Sequence, residues 1–148
     1  MKSLLLAFFL AASGLSAAPV PKFNQLSDYM TPMRCDQFSR DALSLLHSNG
    51  IPAHRIVFGW FKYGVGSSSH AAVLFQWEGK IYFMDNDRMA PRIVAAKTDL
   101  GCVNSIIRDW STQCWMKTDD NSARRAPRKI SDMFAPAPEW LQPLQVGR

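Results

Sequence analysis

Three side chains of this sequence could together run nucleophilic chemistry: the thiol of Cys35, the imidazole of His70 and the carboxylate of Asp85. A thiolate can attack a carbonyl, an imidazole can move the proton, and a carboxylate can hold that imidazole in the useful tautomer. Such a set performs acyl transfer. The thiol must ionise near neutral pH to take part, and a helix N-terminus, with its dipole and unpaired N–H groups, favours that ionisation.

The surrounding residues predict elements that would supply this setting. Thr31 and Pro32 form a helix-start signature, Thr as cap and Pro in the first turn. Cys35, Phe38, Ala42, Leu45 and Leu46 follow at helical spacing, and Asn49, Gly50 and Pro52 stop the run. Cys35 is thereby expected in or near the first turn. Residues 54–60 read as a strand, residues 64–69 as a Gly/Ser loop, and residues 70–77 as a second strand. The pair Glu78 and Gly79 predicts a tight hairpin into a third strand over residues 80–85. Near-symmetric antiparallel pairing across that turn brings His70 and Asp85 to the same end of the ladder.

At these residues the chain resembles a known group. Cys35-x-x-Phe38, residues 50–53 entering a strand, His70-Ala71-Ala72-Val73, Gly79 and Met84-Asp85-Asn86 are similar to the transglutaminase-like branch of the papain-type cysteine enzymes. Asp28-Tyr29 and Thr31-Pro32 ahead of the cysteine, with Asp85-Asn86, look most like the bacterial transglutaminase-like cysteine proteinases. The resemblance spans about residues 28–92. It implies an α+β papain/transglutaminase-like core, one nucleophile-bearing helix packed on a small antiparallel sheet, with Cys35, His70 and Asp85 as the catalytic triad. Periplasmic adhesin-cleaving members of that group depend on calcium and flank the nucleophile with several acidic residues. Here Arg34 precedes Cys35, and Asp36 and Gln37 follow it. One carboxylate falls short of the about six to eight oxygens calcium takes, so no metal and no cofactor is expected.

Other residues compete for roles. Asp87 shares strand parity with Asp85 and is a rival for orienting His70, with Arg88 as an alternative partner for it. Asn86 could orient the imidazole as an amide, but its side chain is expected on the opposite face. An oxyanion site needs two donors, one of them the Cys35 amide. Gln25, Asn24 and Tyr29 lie upstream as candidates for the second, and Gln25 is preferred on donor chemistry. His47 suits the negative end of its helix, and His54 needs no role.

Residues 1–17 read as a secretory signal, with Lys2, an apolar run too short to span a bilayer, and small residues at Ala17. The expectation is a secreted or periplasmic protein. Cleavage after Ala17 would leave 131 of the 148 residues, room for one domain, and a net charge of +4 from 16 basic and 12 acidic residues. Three cysteines in an oxidising compartment leave one over. Cys102 and Cys114 are expected to form a disulfide, which leaves Cys35 as the reactive thiol. Arg124, Arg125, Arg128 and Lys129 concentrate the basic excess, which is read as a solvated segment without nucleic-acid binding.

The domain is assigned to residues 18–116 and a basic, Pro-rich tail to residues 117–148, with Phe134, Trp140 and Leu141 as anchors. Residues 93–95 are a candidate further strand. Residues 101–115 fit either a short helix around Ile106, Ile107 and Trp110 or a disulfide-pinned loop. No Gly-rich phosphate cradle and no paired-cysteine metal signature is present. These readings predict a monomeric thiol hydrolase acting on peptide or isopeptide bonds of a protein or peptide substrate. The same residues would serve a transglutaminase or amidase. A rival is a non-catalytic binding module presenting Trp60, Phe61 and Tyr63.

Overall fold

The computed structural model describes residues 23–29, 31, 33–107, 113–117 and 126–135, apart from the side chains of Asn24, Gln25 and Met89. The secretory segment, Trp110, Arg124, Arg125, Trp140 and Leu141 lie outside these residues. A 3₁₀ turn, Phe23–Tyr29, precedes helix α1, Cys35–Ser48. Strands β1 (Ala53–Lys62), β2 (Gly66–Trp77), β3 (Lys80–Asp85) and β4 (Arg88–Ile93) follow. Helix α2 (Asp99–Ile107), strand β5 (Gln113–Lys117) and the short helix α3 (Ile130–Met133) complete the order. Among the described residues the fold is α+β: a five-stranded antiparallel sheet, order β4-β3-β2-β1-β5, with three α-helices.

Helix α1 forms because its apolar residues recur on one stripe. Phe38, Ala42 and Leu46 are fully buried at four-residue steps. Its C-terminus closes as the residue types predict: Gly50 takes φ +70°, its N–H donates to His47 O, and Ile51 N–H donates to Leu46 O. This double bond pattern, with Ile51 and Leu46 buried together, is a Schellman motif. The start differs from expectation. Arg34 is the N-cap and supplies no side-chain cap, so Cys35 is the first helical residue. Thr31 contributes its carbonyl rather than its hydroxyl, accepting from Arg34 N–H at 3.4 Å. Met33 holds φ +70° in between, a left-handed conformation costly for a side chain of its size.

The middle of strand β2, residues 70–75, is buried on both faces. Val73 and Phe75 pack with α1, Met84 and Leu26, while Ala72 and Leu74 pack with α2 residues Cys102, Val103 and Ile107. Residue alternation therefore serves two cores at once. The unbroken apolar run of residues 71–75 is the sequence mark of such two-sided burial. The sheet thus carries a second helix layer beyond the single one expected.

The β2–β3 hairpin turns at Glu78 (φ +48°) and Gly79 (φ +72°), with Trp77 opposite Lys80. Two left-handed residues in succession match the expected tight turn. The β1–β2 connection is shorter than the predicted loop. Residues 66–69 belong to β2, and Lys62 pairs with Gly66. Residues 113–117 form an edge strand rather than a loop, placing Trp115 opposite Gly59. The core continues past the assigned boundary at residue 116. Met133 is buried, Ile130 N–H donates to Lys97 O, and Asp99 N–H to Arg128 O. His54 meets this segment through its ring against Phe134 and through Met133 O. The Asp99 carboxylate accepts from Arg128 N–H at 3.0 Å, so Arg128 is tied down instead of solvated on all sides.

Gly59 has a specific packing reason. A Cβ there would stand 2.5 Å from the Trp115 ring. Gly59→Ala must push the indole off β1, an overpacking change of about 1–3 kcal/mol. A lowered midpoint in thermal unfolding, with a shift in tryptophan fluorescence, is the expected result.

Candidate functional site

The three sequence-predicted residues converge where the β2–β3 ladder ends. Its last pair is Val73 with Met84. Continuing that register sets Asp85 opposite Ala72, one diagonal step from His70 and on the same sheet face. The measured separation is 3.6 Å from His70 Nε2 to Asp85 Oδ2, an ion-pair distance longer than a full hydrogen bond. His70 and Asp85 are both buried. The His70 ring meets those of Phe58, at 5.6 Å, and Trp60, at 6.2 Å, both in T-shaped contacts.

Cys35 reaches His70 from the first position of α1. A hydrogen bond with the His70 ring is the leading cause of a lowered thiol pKa; partial burial opposes it, and the backbone of Ala71 and of Asp36 adds to the lowering. Since Nε2 faces Asp85, the ring nitrogen left for the thiol is Nδ1. Burial works against a charged His70, yet Asp85 and Cys35 outweigh it and raise its pKa to about 9. Burial also works against Asp85 ionising, but His70 and Arg92 outweigh it and hold the carboxylate below its ordinary range. All three shifts act in the same sense, toward a thiolate beside an imidazolium with the Asp85 carboxylate on its other nitrogen. That state can attack a carbonyl and hand a proton to the leaving group.

Arg92 was not singled out by sequence reasoning. Its Nη2 lies 3.0 Å from Asp85 Oδ2, and its guanidinium stands 5.0 Å over the Phe83 ring. The only available signal was the strand that carries it. The candidate strand at residues 93–95 starts where β4 (Arg88–Ile93) ends; Pro91 within β4 is tolerated because β4 is an edge strand, where a missing N–H costs no ladder bond.

Asn86 is buried and turned away from the imidazole, donating from Nδ2 to Thr31 O at 2.9 Å. It ties the β3–β4 turn to the loop ahead of Cys35, a positioning part. Asp87 is exposed, though its carboxylate, Asp85 and His70 offer ligand atoms within 4.8 Å of one another. Among the described residues this is the grouping close enough to hold an ion. Arg92 already supplies Asp85 with positive charge there, which weakens the pull on a cation. Asp85, Asp87, Arg88, Arg92 and Ile106 line a cleft of about 350 Å³.

On the helix side, Arg55 of β1 pairs with Asp36 and donates to Ser39 Oγ at 2.9 Å, and Arg40 Nε lies 3.0 Å from Asp36 Oδ2. Arg40 first, and Arg55 with it, lower the Asp36 pKa against a small burial cost. These contacts pin the first turn of α1 to β1. Of the oxyanion candidates, Tyr29 is engaged by Asp41, whose hydrogen bond raises the phenol pKa. The Gln25 and Asn24 side chains lie outside the described residues. The Cys35 amide, at the helix start, has no intrahelical acceptor.

The expected Cys102–Cys114 disulfide is not formed: both are thiols. Cys102 points from α2 into the core and Cys114 packs at its margin. Burial, then Asp99, raises the Cys102 pKa to about 11. Cys35, at the start of α1 beside His70, has instead a lowered pKa.

No protein-family model, no curated protein and no solved structure matches this chain. Its function rests on the site itself. Among the described residues, no helix is long and apolar enough to cross a membrane.

Proposed function

We propose that this protein is a thiol hydrolase of the papain/transglutaminase-like type, cleaving peptide or isopeptide bonds through Cys35, His70 and Asp85. The observation that carries this reading is the convergence of the three side chains: Cys35 opens α1 against the His70 ring, whose Nε2 lies 3.6 Å from Asp85 Oδ2, and in that setting the Cys35 pKa is lowered while that of His70 is raised to about 9. In the reaction, the Cys35 thiolate adds to the carbonyl, and its own amide donates to the developing oxyanion. His70 gives its proton to the leaving amine, the C–N bond breaks, and a thioester remains. Water, losing a proton to the now neutral His70, adds to the thioester; the C–S bond breaks, the acid is released, and the thiolate and imidazolium are restored. Asp85 stabilises the imidazolium throughout, and Arg92 fixes Asp85. An amine in place of water gives transamidation by the same steps.

Alkylation tests the pair directly. A thiolate at Cys35 is present above its lowered pKa, and the imidazolium is present below about 9. Iodoacetamide is therefore expected to label Cys35 faster than an ordinary thiol at any pH below the ordinary thiol range, with Cys102 unlabelled until unfolding. His70→Ala removes the leading cause of the thiol shift and should slow labelling at pH 6.5 by at least about tenfold. Turnover of a peptide substrate should fall on the alkaline side as pH passes about 9, because the proton donor is lost. Slow labelling that ignores His70→Ala would favour the binding-module reading, for which the exposed Phe61 and Tyr63 offer a surface.

A further inference from the structure

Among the described residues, one edge of the sheet beside this site has no strand against it. The β2–β3 ladder stops at Val73, whereas β2 pairs with β1 as far as Gly66. Residues 66–72 of β2 thus have a strand partner on one side only. On the other side alternate backbone N–H and C=O groups meet no strand among the described residues. Strand β5 covers β1 opposite Val57 to Phe61, which makes β2 the edge of this part of the sheet.

Sheet edges are ordinarily blunted by Lys, Pro, bulges or a covering element. This one carries Gly66, Ser67, Ser68 and Ser69: small, uncharged, exposed or half-exposed, and paired to β1 without a bulge. It also leads to the nucleophile. The Ala71 backbone contacts the Cys35 sulfur, and the turn at Asn86, tied to Thr31, ends the lane that β3 would otherwise occupy.

We propose that the substrate binds as an extended peptide strand added to this open edge, along residues 66–70 of β2, with its reacting carbonyl delivered to Cys35. The proposal rests on the thiol-hydrolase reading. Strand addition takes its affinity from main-chain hydrogen bonds. At about 3.3 Å per residue, the edge accommodates roughly four or five substrate residues on one side of the reacting bond. Small side chains at positions 67–69 give little side-chain selection. The substrate class is therefore unstructured, extended segments, with helices and proline-rich stretches excluded.

The test uses the full chain and N-acetylated alanine pentapeptide chloromethyl ketones, in which the Cys35 sulfur displaces chloride to form an S–C bond. The rate of Cys35 labelling is expected to exceed that of the single-residue acetyl-alanine reagent by at least about tenfold. N-methylation of the peptide amides, one at a time, should slow labelling about 3- to 10-fold at alternate residues and little at those between. Hydrogen exchange at residues 66–70 should slow in the labelled protein. Rates indifferent to length and to N-methylation, with His70-dependent labelling by iodoacetamide intact, overturn the strand-addition proposal and leave the enzyme reading standing. Labelling by iodoacetamide that is slow and His70-independent overturns both.

Discussion

Cys35→Ala is expected to abolish covalent intermediate formation and to reduce turnover of a cleavable peptide to background. The substitution removes the atom that forms the thioester, and no neighbouring group replaces it: Cys102 is buried with its pKa raised to about 11. Folding should survive, because Cys35 is only partly buried and the helix stripe of Phe38, Ala42 and Leu46 is untouched. The measurement is mass spectrometry of the acid-quenched protein during turnover, beside a thermal melt. Unchanged turnover with an intact fold would place the chemistry elsewhere.

Asp85→Asn should cost about 10²- to 10⁴-fold in kcat, by the logic of triads whose orienting carboxylate is replaced by an amide. The amide keeps the shape and loses the charge that stabilises the imidazolium. The His70 pKa should fall, because Asp85 is a principal cause of its elevation against burial. The alkaline limb of the pH profile should move down with it, a readout that loss of structure alone would not give. The exposed Asp87→Asn should change kcat much less. The reverse ranking would shift the orienting role two residues along. Arg92 adds a second consequence of Asp85→Asn: its Nη2 loses a charged partner at 3.0 Å, so some stability is lost too. The Asp85 carboxylate is lowered in the folded state, so its contribution is present above the unfolded value and fades as pH falls through the lowered one.

Much of this site was legible because its determinants are local. The spacing of Phe38, Ala42 and Leu46 fixes α1, Gly50 fixes its end, and Glu78-Gly79 fixes the register that brings Asp85 near His70. What escaped depends on partners distant in sequence. Residues 66–69 have poor strand propensity and become strand because β1 lies across a three-residue turn. The candidate strand at residues 93–95 starts where β4 ends, so Arg92 was missed with β4. Strand β5 carries no alternation strong enough to separate it from a loop, and its place is set by the space that Gly59 leaves for Trp115. The disulfide was inferred from the odd cysteine count and from Cys102 and Cys114 lying twelve residues apart in one segment, and such spacing does not show that α2 turns Cys102 into the core as a neutral group while β5 holds Cys114 at its margin.

The two-sided burial of β2 bears on when this protein becomes reactive. His70 shares the face of Ala72 and Leu74, which α2 covers, while Cys35 is delivered by α1, which packs on Val73 and Phe75. Neither core alone assembles the ion pair. On the proposed reading a chain with only one helix docked would carry an ordinary, sluggish thiol, so fast labelling at Cys35 would be a property of the complete fold and its rate a sensor of that fold. In a denaturant titration, loss of fast labelling at Cys35 and loss of protection at Cys102 should coincide, one reporting each layer of a single cooperative unit.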